Sequence, residues 1–102
     1  MFIQKVKFNF VLPSIRDGKQ LLAYVLITVN SGSEREFLKN ISKFDEVIEA
    51  NLVIGENDIV IKIQVNDIAH MDQFLTDTLR ILPNVFLTTT MIITEQIKPA
   101  PQ

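Results

Sequence analysis

The sequence contains no cysteine and no tryptophan, one histidine, one tyrosine and three glycines. Without cysteine there is neither a disulfide frame nor a thiolate metal site. A single histidine leaves too few ligands for a zinc centre, and the acidic residues never fall at the spacing of a calcium-binding loop. Gly18, Gly32 and Gly55 lie too far apart to build a phosphate-cradling loop. Ser14, Ser31, Ser33 and Ser42 occur in no nucleophile elbow. No apolar run approaches the roughly 20 residues that a membrane-spanning helix needs. The N-terminal stretch from Met1 to Leu12 is broken by Lys5 and Lys7 and is followed by no small-residue cleavage site, so it does not read as a signal peptide.

Net charge is also small. The formal net charge is -2 over 102 residues, with Lys and Arg scattered rather than clustered. A surface for the phosphate backbone of nucleic acid wants a basic patch or stripe, and none is present in the sequence. The expectation is a single soluble, cytoplasmic domain with no cofactor, no metal, no direct nucleic-acid contact and no membrane contact.

What the chain does contain is periodicity. Residues 2–12 alternate, with Val6, Phe8, Phe10 and Leu12 on one side and Lys5, Lys7 and Asn9 on the other, which predicts an accessory strand. Pro13 and Asp17-Gly18 then mark a loop. Ala23, Val25, Ile27 and Val29 share one face of the next strand. Asn30-Ser31-Gly32 ends it, and Ser33 with Glu36 has the spacing of a helix capping box. Phe37, Leu38, Ile41 and Phe44 then recur as the apolar stripe of a helix.

Two further strands are predicted on either side of Gly55-Glu56-Asn57-Asp58. One runs over about residues 46–54 with Ile48, Ala50, Leu52 and Ile54 inward; the other has Ile59, Ile61, Ile63 and Val65 inward. A second helix begins at Asn66 or Asp67, carries the stripe Ile68, Met71, Leu75, Leu79 and Leu82, and stops at Pro83. In the last strand Val85, Leu87, Thr89, Met91 and Ile93 are assigned to the inner face, leaving Phe86, Thr88, Thr90 and Ile92 outward.

The order is βαββαβ, an α+β, ferredoxin-like arrangement with both helices on one face of an antiparallel sheet, preceded by an extra N-terminal strand. The opposite face holds Leu22, Tyr24, Leu26, Val47, Val53, Val60, Phe86 and Ile92 beside Glu49, Asn51, Lys62, Gln64, Thr88 and Thr90. That face is too apolar for a monomer, and a second copy of the chain is the simplest cover.

Catalytic machinery is missing from this pattern. His70 falls in the first turn of the second helix, off its apolar stripe and so on the solvent side. Asp67, Asp72 and Asp77 read as capping and surface carboxylates. Two features remain. Gly55, Glu56, Asn57 and Asp58 are the residues a hairpin turn uses, and they also carry two carboxylates and an amide. Thr88, Thr89 and Thr90 are good strand formers. At an interface, such hydroxyls and carboxylates suit the ammonium and carboxylate of a zwitterion.

Ala23-Tyr24-Val25-Leu26-Ile27, the Gly55-x-x-Asp58 hairpin, and Leu82-Pro83-Asn84-Val85 followed by three threonines together resemble the effector-binding domain of Lrp/AsnC-type transcription regulators, the regulation-of-amino-acid-metabolism module. The likeness covers roughly residues 22–97, with residues 1–21 as strand and linker and 98–102 as a tail. The family usually has Pro-Gly-Val where this chain has Pro83-Asn84-Val85, and often a bulky residue where Asn57 stands. No helix-turn-helix is present, so the chain resembles a stand-alone prokaryotic effector domain.

That resemblance implies a non-enzymatic function. Dimers would form through the sheets, in the manner of dimeric α/β-barrels, and would assemble into rings, often octameric. A small amino acid would bind between dimers at the hairpin. Glu56 or Asp58 would meet its ammonium, and backbone N–H groups with a hydroxyl from Thr88, Thr89 or Thr90 would hold its carboxylate. Transcription would be modulated by co-assembly with a full-length, DNA-binding regulator. Two other readings share the strand order. One is a small dimeric α/β-barrel enzyme of the monooxygenase or lactone-isomerase type, its site against Glu49, Asn51, Lys62 and Gln64. The other is an ACT-like allosteric module.

Overall fold

Uninterrupted alternation makes the two central strands. In the computed structural model, which describes residues 20–99, β1 (Leu21–Val29) and β3 (Ile59–Val65) bury every second side chain. They pair antiparallel from Leu21 opposite Val65 to Ile27 opposite Ile59. β2 (Val47–Leu52) flanks β3 and β4 (Val85–Ile92) flanks β1, giving the order β2-β3-β1-β4 with every pairing antiparallel. This is the ferredoxin-like sheet. The accessory strand expected at residues 2–12 lies outside the described residues, as do residues 100–102 of the expected tail.

Both helices lie on one face. α1 (Glu34–Ile41) contributes Phe37 and Ile41, and α2 (Ile68–Gln73) contributes Met71. A π-helical continuation (Phe74–Leu79) contributes Phe74, Leu75 and Leu79. Together with the inward residues of β1 and β3 these form one core, in which Ile27, Ile41, Ile59, Ile61, Ile63 and Leu79 are fully buried. Burial of one such side chain contributes about 1.5–3 kcal/mol relative to exposure. Phe44 and Phe74 meet edge to face, with ring centroids 6.3 Å apart, an arrangement that the ring quadrupoles favour. In the continuation, the Arg80 N–H reaches back to the Leu75 carbonyl at 3.0 Å. A four-residue apolar spacing drifts around a 3.6-residue turn, and the wider π turn reduces that drift.

The helix starts differ from expectation in one case. Asp67 caps α2 as anticipated, its Oδ1 accepting the His70 N–H at 2.8 Å. Ser33 precedes α1 but makes no side-chain capping bond. Glu34 instead accepts the Gly32 N–H at 3.0 Å, and Gly32 has φ +91°, which an L side chain rarely adopts.

Two β-bulges correct the outer strands. Val47 lies opposite Ile63 and Ala50 opposite Ile61, with the register shifting between Val47 and Glu49. Ile48 is the extra residue and is exposed, while Val47 takes the inward place. Ile54, also expected inward, is fully exposed beyond the end of β2. On β4 the register shifts between Thr28 and Val29 of its partner, so Val85 lies opposite Val29 but Leu87 opposite Thr28. Every residue after Phe86 is thereby moved to the other face, because side chains alternate with a period of two. Thr88, Thr90 and Ile92 therefore face the helices, and Leu87, Thr89 and Met91 face away, the reverse of the predicted assignment.

The face away from the helices is built of cross-strand rows. One runs Asn51, Val60, Leu26, Thr89; the next runs Glu49, Lys62, Tyr24, Met91. Lys62 Nζ lies 5.6 Å from the Tyr24 ring centroid, a cation–π distance. Leu87 and Met91 are exposed on this face. No described helix is long and apolar enough to cross a membrane.

Candidate functional site

The β2–β3 connection is longer than expected, because β2 ends at Leu52 and six residues precede Ile59. The Val53 N–H donates to the Asp58 carbonyl at 2.9 Å, closing the loop, and the Asp58 N–H donates to the Ile27 carbonyl at 3.1 Å. Beyond that rung β3 turns away, and the Asp58 side chain continues the ladder. Its Oδ2 accepts the Val29 N–H at 3.1 Å. Beside it the Thr28 hydroxyl donates to Asn57 Oδ1 at 3.2 Å. Gly55 and Glu56 form the exposed tip. Of the four hairpin residues singled out from the sequence, two are anchors and two are presented to solvent.

The three threonines do not form one group. Thr89 is exposed on the face away from the helices, whereas Thr90 is 8 % exposed beneath them and Thr88 is half-buried on that same side.

Pairing of β1 with β3 brings the turn after β1 beside the hairpin. Between them lies an open cleft of about 450 Å³ lined by Gly32, Glu34, Arg35, Leu52, Val53 and Asp58. Asp58 is the only member of the predicted site that lines it. The other five were not singled out, since nothing local to residues 32–35 signals that they meet residues 52–58. Only the long-range register of β1 on β3 places them there. Among the described residues, Arg35 has no ion-pair or hydrogen-bond partner. Asp58 uses one carboxylate oxygen on Val29, and Glu34 uses one on Gly32.

A second polar cluster sits at the far end of the sheet. His70, expected on the solvent side, is half-buried and joins three elements. Its Nδ1 accepts the Asn66 N–H at 3.0 Å, and Nε2 lies 2.9 Å from Glu46 Oε2. A ring whose Nδ1 accepts carries its proton on Nε2, which donates to Glu46. This bond is the main reason that the Glu46 carboxyl sits below its usual range; partial burial opposes it. Gln20 Nε2 donates to Asn66 Oδ1 at 2.7 Å in the same cluster. These groups satisfy one another, which marks the cluster as a tie between α2 and the start of β2. Among the described residues, no group of three or more acidic or histidine side chains is placed to hold a metal ion.

Comparison with known proteins adds to this geometry. The family described as "Lrp/AsnC ligand binding domain" matches residues 22–102. The chain belongs to the Lrp/AsnC family. The HTH-type transcriptional regulator FL11 of Pyrococcus horikoshii is 31% identical over 87 residues, which is 85% of this chain and 57% of FL11. The leucine-responsive regulatory protein of Escherichia coli K12 is 35% identical over 81 residues, 76% of this chain and 49% of that protein. The chain thus spans about half the length of the curated relatives it matches, and those relatives are named as regulators. Among solved structures, the hypothetical protein PHS023 from Pyrococcus horikoshii superposes with a TM-score of 0.70 at 32% identity, covering 76% of this chain and 93% of its own. As a member of the Lrp/AsnC family, the chain carries that family's ligand-binding domain.

Proposed function

We propose that this chain is a non-enzymatic amino-acid sensor that modulates transcription by assembling with copies of itself and with a DNA-binding regulator of its own family. The observation that carries the reading is the hairpin Gly55–Asp58, locked to the end of β1 by Asp58 and set against an open, charged cleft, in a domain of the Lrp/AsnC family. A rigid anchor with an exposed tip suits a site completed by a neighbouring molecule. Gly55, Glu56, Asn57 and Asp58 are assigned to the amino acid on this reading. Thr89 is the threonine of the three that a ligand or partner can reach without passing the helices, and Thr88 and Thr90 have the weaker claim.

The second support is the apolar sheet face bearing Leu22, Leu26, Val60, Leu87 and Met91. Two such faces packed together form the dimer, and dimers joined at the hairpins form a ring, with eight subunits as the expected size. A neutral zwitterion shifts that assembly only as far as it binds one state better than another. Mixed assembly with a full-length regulator is the route to transcription.

Light scattering on the purified chain, with and without each standard amino acid, tests this directly. A particle larger than a dimer whose mass or melting temperature changes with one amino acid supports it. A plain dimer that responds to none removes the sensor role.

A further inference from the structure

Resting on that reading, we infer that Glu49 and Lys62 select which molecule covers the sheet face. Glu49 of each copy pairs with the partner's Lys62, so that the face accepts a second copy of this chain. Of the described strand residues that face away from the helices, only Glu49 on β2 and Lys62 on β3 are charged. They lie opposite each other in the β2–β3 register, where opposite charges can pair within one sheet. Here they do not. Lys62 Nζ lies 5.6 Å from the centroid of the Tyr24 ring, and Tyr24 is on β1, on the side of β3 away from β2. Among the described residues, Glu49 has no ion-pair partner.

Within one chain Glu49 is exposed and Lys62 half-buried, so both charges still reach water. A second face laid over this one removes that water, and a charge buried without a counter-charge is strongly disfavoured. A two-fold contact is self-complementary: where one residue meets another, the same two residues meet again across the axis. One acid and one base on a face therefore suffice to close two pairs, Glu49 with the partner's Lys62 and Lys62 with the partner's Glu49. The face complements itself in charge as well as in apolar surface. A sheet that lacks either charge leaves a carboxylate or an ammonium unpaired, and such mismatches exclude wrong partners. The apolar rows provide the attraction, and the charged pair provides the choice.

Native mass spectrometry and sedimentation of the intact chain test the pairing, with Glu49→Lys and Lys62→Glu made singly, mixed, and combined in one chain. Each single variant sets like charges across the axis. It should self-associate at least about tenfold more weakly than the parent, the weight of one close charge pair. Mixed in equal amounts, the two should form particles containing both variants, because each offers the charge that the other lacks. The chain carrying both substitutions should self-associate like the parent. Like charges opposite each other within one sheet also weaken a fold. Each variant keeps that internal defect in the mixture, so rescue there reports the contact between chains alone. Glu49→Gln and Lys62→Gln add no repulsion within a chain and run the same test if either reversal fails to fold. Their mixture should again favour particles containing both.

Single variants that self-associate like the parent overturn the pairing, and so does a mixture that stays as weak as its parts. In either case the sheet contact itself stands if Leu26→Asp, in the neighbouring row of the same face, still disperses the particle. A parent chain that is a monomer, or whose mass Leu26→Asp leaves unchanged, removes the sheet dimer and this inference with it.

Discussion

The carboxylate of Asp58 accepts the backbone N–H of Val29 at 3.1 Å, one rung past the last pair of the β1–β3 ladder. It stands where a strand carbonyl would otherwise serve, so the hairpin is fastened by a side chain rather than by more strand. Val29 is buried, and an amide left without an acceptor there costs about 1–3 kcal/mol. Asp58→Ala should therefore lower the melting temperature by several degrees, at roughly 4–8 °C per kcal/mol for a domain of this size. Asp58→Asn keeps a carbonyl oxygen for Val29 and should melt near the parent while losing the charge that the ligand assignment requires. Calorimetric melts of the two variants separate the structural bond from the charge. Equal melting of both would show that the Val29 bond contributes nothing.

Asn84 has φ +75°, the left-handed region, at the turn from the second helix into β4. Its carbonyl accepts the Asn30 N–H at 3.0 Å, and its side-chain Oδ1 accepts from Asn30 Nδ2 at 3.2 Å. Asparagine tolerates this conformation better than other L residues, and glycine better still. Asn84→Ala should destabilise by about 1–2 kcal/mol. Asn84→Gly should stay within roughly 0.5 kcal/mol of the parent, because it relieves the backbone but loses an exposed side-chain bond. Urea unfolding midpoints measure both. Alanine and glycine variants of equal stability would show that the turn relaxes out of the left-handed region.

How far the chain could be read from its residues follows from where alternation holds. β1 and β3 alternate without a break, and every inward residue named for them is buried. β2 and β4 carry the same signal, but one extra residue at Ile48 and one at Phe86 resets the phase, and nothing in the local sequence marks either. Bulges are set by how a strand fits its partner, which is a tertiary property. The threonine run was misplaced for this reason alone. The hairpin was legible because turns need particular residues. The anchoring of Asp58 to Val29 and the arrival of Arg35 at the same cleft were not. Both depend on a pairing between residues about thirty apart.

Glu46 and His70 give the fold a defined acid sensitivity. The His70 hydrogen bond holds the Glu46 carboxyl below its usual range in the folded chain. A folded-state value below the unfolded one means that the contribution is fully present above the titration range of an unfolded glutamate. It is lost as pH falls through the lower, folded-state value. Melting temperatures between neutral pH and about pH 3, near and below the ordinary glutamate value, should fall less steeply for Glu46→Gln than for the parent. His70→Ala should flatten the same limb, since it removes the cause of the shift. Parallel curves for all three would show that the pair is not linked to folding.

The proposed dimer places Leu26 at the centre of the apolar sheet face, in the row between Val60 and Thr89. Within one chain this side chain is half-buried rather than sealed in the core, so a charge there can still reach water. Between two faces it cannot, and burying an unpaired carboxylate costs several kcal/mol. Leu26→Asp should accordingly reduce the mass of the particle to that of a monomer while leaving its circular dichroism unchanged. Gln73→Asp adds the same charge on the exposed side of α2 and should leave the mass as it was. Met91→Asp, at the exposed end of the neighbouring row, should act like Leu26→Asp but less completely, because a charge nearer the rim of an interface keeps some solvent. The ordering of the three variants carries the inference. A general effect of added charge would move all of them, and an interface through some other surface would move none.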